Sequence, residues 1–283
     1  MFVWLASYPK SGNTLVRSMI AAYFFSKDGN YNFELIKNIK QFPNIGLFEK
    51  MGIDITKEKE VLKNYIRVQE TFNKKDATQF LKTHSYLFNI DNNPFTDLNN
   101  TLGVIYIVRD PRNVATSVAN HMSISKEEAT RIMIEEFKFG GDISSKNSDR
   151  TRVYMGTWAG NYNSWKSLKE HSKYLLIKYE DLIINRDFAF RKILKFLHKL
   201  KDTKFKIDQE KFKNVIKTTD FSEMKNLEKK IGFDEAKTNP KTGKKVPFFN
   251  LGPKNDWKKI LPDELKIKIE KHFKKEMKEL GYL

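Results

Sequence analysis

Four short apolar runs punctuate the chain, at Phe2 to Ser7, Phe80 to Thr83, Val104 to Val108 and Tyr174 to Tyr179. Their apolar positions are nearly continuous rather than alternating, which predicts strands buried on both faces and therefore a parallel sheet. Between the runs the period lengthens. Leu15 to Phe25, the stretch from Val114 onward, and Phe190, Ile193, Leu194 and Leu197 at i, i+3, i+4 and i+7 all predict helices. Strands alternating with helices are the mark of βαβ units, so the expected fold is an α/β single domain over residues 1–283, a central parallel sheet flanked by helices. Leu265, Ile269, Phe273 and Met277 recur every four residues among lysines and predict a closing amphipathic helix, with Pro262, Asp263 and Glu264 at its start. The polar stretches 140–152 and 232–256 have no helical period and are expected to be long loops, the usual place for lids and substrate-selecting surfaces.

Composition narrows the picture. At 40% hydrophobic residues, with 22 Phe and 4 Trp, the chain has ample material for a core, which excludes wholesale disorder. It has no cysteine, so disulfides, thiolate metal sites and a cysteine nucleophile are all excluded. No apolar run approaches the roughly 20 residues of a membrane-spanning helix. The first residues read as a strand entering a turn rather than a signal peptide, and a cytoplasmic location is expected. Lys and Arg number 52 against 35 Asp and Glu, a net charge of +17. Residues 186–283 hold 27 of the bases and 15 of the acids. Such a surface attracts phosphates of any kind, whether on nucleic acid, membrane or small molecule, or is merely well solvated.

Three motifs carry candidate chemistry. Ser7-Tyr8-Pro9-Lys10-Ser11-Gly12-Asn13-Thr14 runs from the first strand into the first helix. Unpaired amides and the positive end of a helix dipole then converge on one point, where phosphate binds. The ATP-type order Gly-x-x-x-x-Gly-Lys-Ser/Thr is absent; here the lysine precedes the glycine. Val108-Arg109-Asp110-Pro111-Arg112 leaves another strand at its carboxyl end, the ligand edge of an open α/β sheet, with Ser117 about two helical turns further on. Arg112 fits a surface ion pair equally well. Lys82-Thr83-His84 ends the second strand, and of the five histidines only His84 falls on the edge where the other two motifs converge. An imidazole there suits a general base.

These motifs, in this order, with Lys178-Tyr179-Glu180-Asp181-Leu182, Phe221-Ser222-Glu223-Met224 and Gly252 followed by Asp256-Trp257-Lys258, resemble the cytosolic and bacterial sulfotransferases. That family uses 3′-phosphoadenosine 5′-phosphosulfate (PAPS) as sulfonate donor. The resemblance runs from Phe2 to about Lys259 and implies a P-loop-kinase-like phosphate-binding loop after the first strand. It implies that Lys10, Ser11, Gly12, Asn13 and Thr14 hold the 5′-phosphosulfate, and that Arg109 and Ser117 hold the 3′-phosphate. Tyr179, Thr219 and Phe221 would surround the adenine, with His84 as catalytic base and Lys82 assisting the sulfonate in transfer. It implies no metal, the bisphosphate PAP as product, and a small-molecule acceptor.

The chain departs from the family pattern in places. Leu15 stands where an adenine-stacking Trp is usual, and Asn250-Leu251 stands where Arg-Lys precedes Gly252, so that Lys254 would supply the cation from the other side of the glycine. The short dimer motif after the Asp-Trp-Lys is absent, which leaves oligomeric state open. A nucleotide kinase and a basic nucleic-acid-binding protein are the alternatives, and the ligand discriminates among the three. The expected acceptor is a small alcohol-bearing metabolite, and the Phe and Ile of residues 32–76 would either line an apolar pocket or fill the core.

Overall fold

The computed structural model describes all residues except 136–137, 140–152, 240 and 241. Among them, five strands form one parallel sheet: β1 (Phe2–Ser7), β2 (Lys40–Gln41), β3 (Gln79–Thr83), β4 (Thr101–Val108) and β5 (Tyr174–Lys178), in the order β2-β3-β1-β4-β5. β1 pairs in parallel with both β3 and β4, and β4 in parallel with β5. The chain leaves β1 for one side of the sheet and after β3 crosses to the other. The carboxyl ends of β1, β3 and β4 therefore flank a topological switch point, where ligands bind in open α/β sheets.

Alternate residues of each strand feed two cores. Phe2, Trp4 and Ala6 join Val104, Tyr106 and Val108 on one face, while Val3 and Leu5 join Ile105, Ile107 and Ile177 on the other. The three helices expected to flank the sheet form. Asn13–Phe25 and Arg186–Leu200 cover the second face through Val16, Ile20, Phe190, Ile193, Leu194 and Leu197. Pro111–Met122 covers the first through Val114, Ala115 and Val118.

The closing element differs from expectation. Leu265, Ile269, Phe273 and Met277 are all buried, but Leu265 and Ile269 lie on the helix Asp263–His272, Met277 on the helix Lys274–Glu279, and Phe273 at the break between them. A strict four-residue repeat drifts about 40° per step around a helix of 3.6 residues per turn, and the break resets the face toward the core. The Phe and Ile of 32–76 also resolve toward packing: Phe33, Ile36, Ile39, Phe42 and Phe48 are buried in the two cores. The expected loop 140–152 lies outside the described residues. Among the described residues no helix is long and apolar enough to cross a membrane.

Candidate donor and catalytic site

Because the sheet is parallel, Ser7, Thr83, Val108 and Lys178 all end their strands on one edge, in register across Ala6–Thr83, Ser7–Ile107 and Val108–Lys178. A cavity of about 240 Å³ opens there. Lys10, Gly12, Asn13, Thr14, Leu15, Lys82, His84, Arg109, Ser117, Tyr179, Phe221 and Gly252 line it, so motifs more than 200 residues apart in sequence meet at one site.

The loop after β1 is built by two left-handed residues, Lys10 at φ 65° and Gly12 at φ 101°. Gly12 caps the helix Asn13–Phe25 with its carbonyl, which accepts from the amides of Leu15 (3.1 Å) and Val16 (3.3 Å). The first-turn amides point out of the helix, as phosphate binding requires. The Asn13 side chain turns back to β1, donating to the Leu5 carbonyl at 2.9 Å and to Ser7 Oγ at 3.2 Å, so its contribution to an anion comes from the backbone. Ser11 is fully buried and its hydroxyl has no partner.

Arg109, 5% exposed, donates from Nη1 to the Lys10 carbonyl at 3.2 Å and lies 4.2 Å over the Tyr179 ring, while its Nε is buried without a partner. The orphaned donor of Arg109, on the cavity wall, is what a bound anion would satisfy, so the residues present fit a phosphorylated nucleotide. Arg112, by contrast, is structural and buried. It pairs with Asp110 (2.7 Å) and Glu270 (2.6 Å), donates to the Tyr282 carbonyl at 2.8 Å and stacks 3.9 Å over Trp257.

The His84 geometry assigns its tautomer. Nδ1 lies 2.8 Å from the Ser7 carbonyl, an acceptor only, so Nδ1 carries the proton and Nε2 is left with its lone pair. Burial and the neighbouring Lys82 lower the His84 pKa to about 3, against the opposing influence of the Ser7 carbonyl and Glu235, which keeps the ring neutral at pH 7. Lys10 Nζ sits 3.9 Å from the Phe248 ring. Burial lowers its pKa to about 7; Glu235 opposes the shift, and Arg109 and Lys82 add to it. An anionic ligand raises both values, because it favours the charged forms.

Three expected residues are placed otherwise. Thr219 is fully buried, its hydroxyl donates to the Val215 carbonyl at 2.7 Å, and it does not line the cavity. Lys254 is exposed and also off the cavity wall, because the turn after Gly252 is pinned through Asn255, which accepts from Thr116 Oγ1 (2.9 Å) and donates to the Asn113 carbonyl (3.0 Å). Ser11 lies beneath the lining rather than on it. Leu15 does line the cavity, offering an apolar contact in place of an aromatic face.

Several site residues escaped the sequence. His121 lines the cavity, four residues after Ser117 on the same helix face, a spacing that signals it. Its ring is neutral, with a pKa lowered to about 3 by burial and by Lys10 and Lys237. Segment 232–256, a long loop of the kind expected to carry a lid or substrate-selecting surface, contributes Glu235, Phe248 and Phe249 to the cavity wall. Glu228 holds the two phenylalanines there, accepting from their amides at 2.7 and 2.9 Å. Among the described residues no cluster of three or more His, Asp or Glu is placed to hold a metal.

Fold and site together define an α/β protein whose parallel-sheet edge opens into a cavity fit for a nucleotide anion, with His84 beside the loop that follows β1. The sequence model of the sulfotransferase domain matches residues 2–281, and the chain belongs to that family, as an enzyme of the sulfotransferase class. Sulfotransferase 1E1 of Homo sapiens is 26% identical over 282 residues, covering 97% of this chain and 83% of its own length. Luciferin sulfotransferase of Photinus pyralis is 24% identical over 284 residues, covering 96% and 70%. Among solved structures, mouse sulfotransferase SULT7A1 complexed with PAP superposes with a TM-score of 0.58 at 20% identity, covering 97% of this chain and 83% of the other. Retinol dehydratase in a complex with retinol and PAP gives 0.60 at 17% identity, covering 98% and 81%.

Proposed function

We propose that the chain transfers the sulfonate of PAPS to a hydroxyl or amine of a small-molecule acceptor, with His84 as the base. The observation that carries this reading is the His84 tautomer: Nδ1–H donates to the Ser7 carbonyl and leaves Nε2 as the acceptor, in the cavity shared with Lys10 and Lys82. PAPS, when bound, supplies an activated sulfonate on a phosphate leaving group. Everything else falls to positioning and charge. The 3′-phosphate belongs with Arg109 and Ser117, and the 5′-phosphate with the loop amides and Thr14. Lys10 offsets the negative charge that grows on the leaving oxygen, a contribution of about 2 to 4 kcal/mol by comparison with other preorganised oxyanion donors. Tyr179 and Phe221 bracket the adenine side. The PAP bound in the two structural neighbours belongs to those proteins and supports the same ligand class here.

The acceptor side of the cavity is walled by Tyr8, Met122, Ile132, Val153, Met155 and Phe248. An apolar wall beside a neutral base favours an alcohol or phenol with a hydrophobic body over a charged acceptor. The test is PAP release from PAPS across small alcohols, phenols and amines. Turnover with at least one, abolished in His84→Ala, supports the proposal, and equal turnover in that variant removes His84 from the role.

A further inference from the structure

Glu235 lies in the loop after the helix Phe221–Ile231, outside every motif of the sequence, yet it reaches the loop after β1. Its Oε1 accepts from Arg17 Nη1 at 2.6 Å and lies 3.4 Å from Lys82 Nζ, while Oε2 accepts from Thr14 Oγ1 at 3.3 Å. Arg17 and Lys82 are themselves buried, and Arg17 is steadied by the Ile39 carbonyl at 3.2 Å. The loop is anchored on both sides of the carboxylate. Phe233 packs 4.5 Å from Phe33, and Glu228 fixes the amides of Phe248 and Phe249. Burial disfavours the Glu235 charge, but Lys82 and Arg17 outweigh it and hold the group ionised. A hydroxyl, a guanidinium and an ammonium thus converge on one internal anion in the donor cavity.

Two of those three groups, Thr14 and Lys82, are the ones assigned to the donor's 5′-phosphate and sulfonate. We infer that Glu235 competes with the donor for Lys82 and Thr14 and thereby sets the preference of the site between PAPS and PAP. The inference rests on the reading of this cavity as the donor site. PAPS brings an anion to each of the two groups, whereas PAP lacks the sulfonate and brings one only to Thr14. Two anions cannot share Lys82 without repulsion, so the carboxylate opposes PAPS more than PAP. Once the sulfonate has left, the Glu235–Lys82 contact is compatible with bound product.

The experiment compares equilibrium binding of PAPS, PAP and adenosine 3′-phosphate to the unaltered protein and to Glu235→Gln and Glu235→Asp. Glu235→Gln should tighten PAPS by about tenfold, the size of one charge-assisted hydrogen bond that no longer has to be broken. PAP should gain less, and adenosine 3′-phosphate, which lacks any 5′ anion, should not change. Glu235→Asp, with the carboxylate drawn back by one methylene, should fall between. A weaker PAPS complex in Glu235→Gln, or equal changes for all three ligands, overturns the inference. The unaltered protein gives a check that does not depend on the variants folding: PAPS should bind no more tightly than PAP despite its added sulfonate, and tighter binding of PAPS contradicts competition. Failure of PAP itself to bind would remove the donor-site reading instead.

Discussion

The ring of Tyr179 fills the space that a side chain would need at Gly12, where a Cβ would stand 2.5 Å from Tyr179 Cδ2. Gly12 is held at φ 101°, and the same tyrosine ring lies 4.2 Å from the Arg109 guanidinium. One glycine therefore sets both the curvature of the phosphate loop and the seat of the aromatic that supports Arg109. Gly252 and Phe221 repeat the relationship on the far wall, with a glycine at φ 53° whose Cβ would collide with the phenylalanine ring.

Gly12→Ala should accordingly damage binding and stability together. A non-glycine residue in this conformation costs about 1 to 3 kcal/mol before the clash with Tyr179 is counted. Thermal unfolding should show a lowered Tm and titration a weakened PAP complex. An unchanged affinity would mean that Tyr179 does not shape the site.

His84→Ala separates chemistry from binding. Turnover should fall by about 10²- to 10⁴-fold, the usual contribution of a positioned base, while PAP affinity stays near that of the unaltered enzyme. His84→Gln, which retains a donor for the Ser7 carbonyl but offers no comparable base, should be equally inactive. Activity in either variant is read from PAP release.

Lys10 gives the site a pH dependence of known sign. Its pKa is lowered to about 7, and the bound anion favours the protonated ammonium, so affinity for PAP is greatest below pH 7 and declines as pH rises through and beyond it. The decline approaches about tenfold per pH unit where binding takes up one full proton. Lys10→Met should bind more weakly at pH 6 and lose most of that slope. Titrations from pH 6 to 9 measure both.

Arg109→Met addresses nucleotide selectivity. The guanidinium has an unpartnered buried Nε and lies on the cavity wall. Its loss should weaken PAP by about tenfold or more, the range for a hydrogen bond to a charged group, and leave AMP, which has no 3′-phosphate, little affected. Equal losses for both nucleotides would place Arg109 in support of the loop alone, through the Lys10 carbonyl.

The central strands were legible because each is a continuous apolar run with both faces buried, as at Phe2–Ser7 and Thr101–Val108. The edge strand Lys40–Gln41 has two polar residues and leaves no such trace. That the loop after β1 and Arg109 would meet at one cavity was legible because chemistry at a parallel sheet edge concentrates at strand ends, in short local motifs. His121 carried a signal in its spacing from Ser117 that motif reading alone passes over. Glu235 carried none. Its place depends on how a loop of more than 20 residues folds back over the sheet, anchored by Phe233 and Glu228, and no local pattern encodes that return. Thr219 and Lys254 show the converse: each occupies a suggestive position in sequence, and packing turns one into the core and the other out to solvent.

The account stands or falls on whether this cavity is a 3′,5′-bisphosphate site. Calorimetric titration with PAP, and with ADP and ATP as controls, at two salt concentrations tests it most directly. The account predicts one site per chain with a clear preference for PAP that survives the higher salt, since Arg109 and the loop amides recognise geometry as well as charge. Binding of all three nucleotides with the same affinity, falling together as salt is raised, would contradict it.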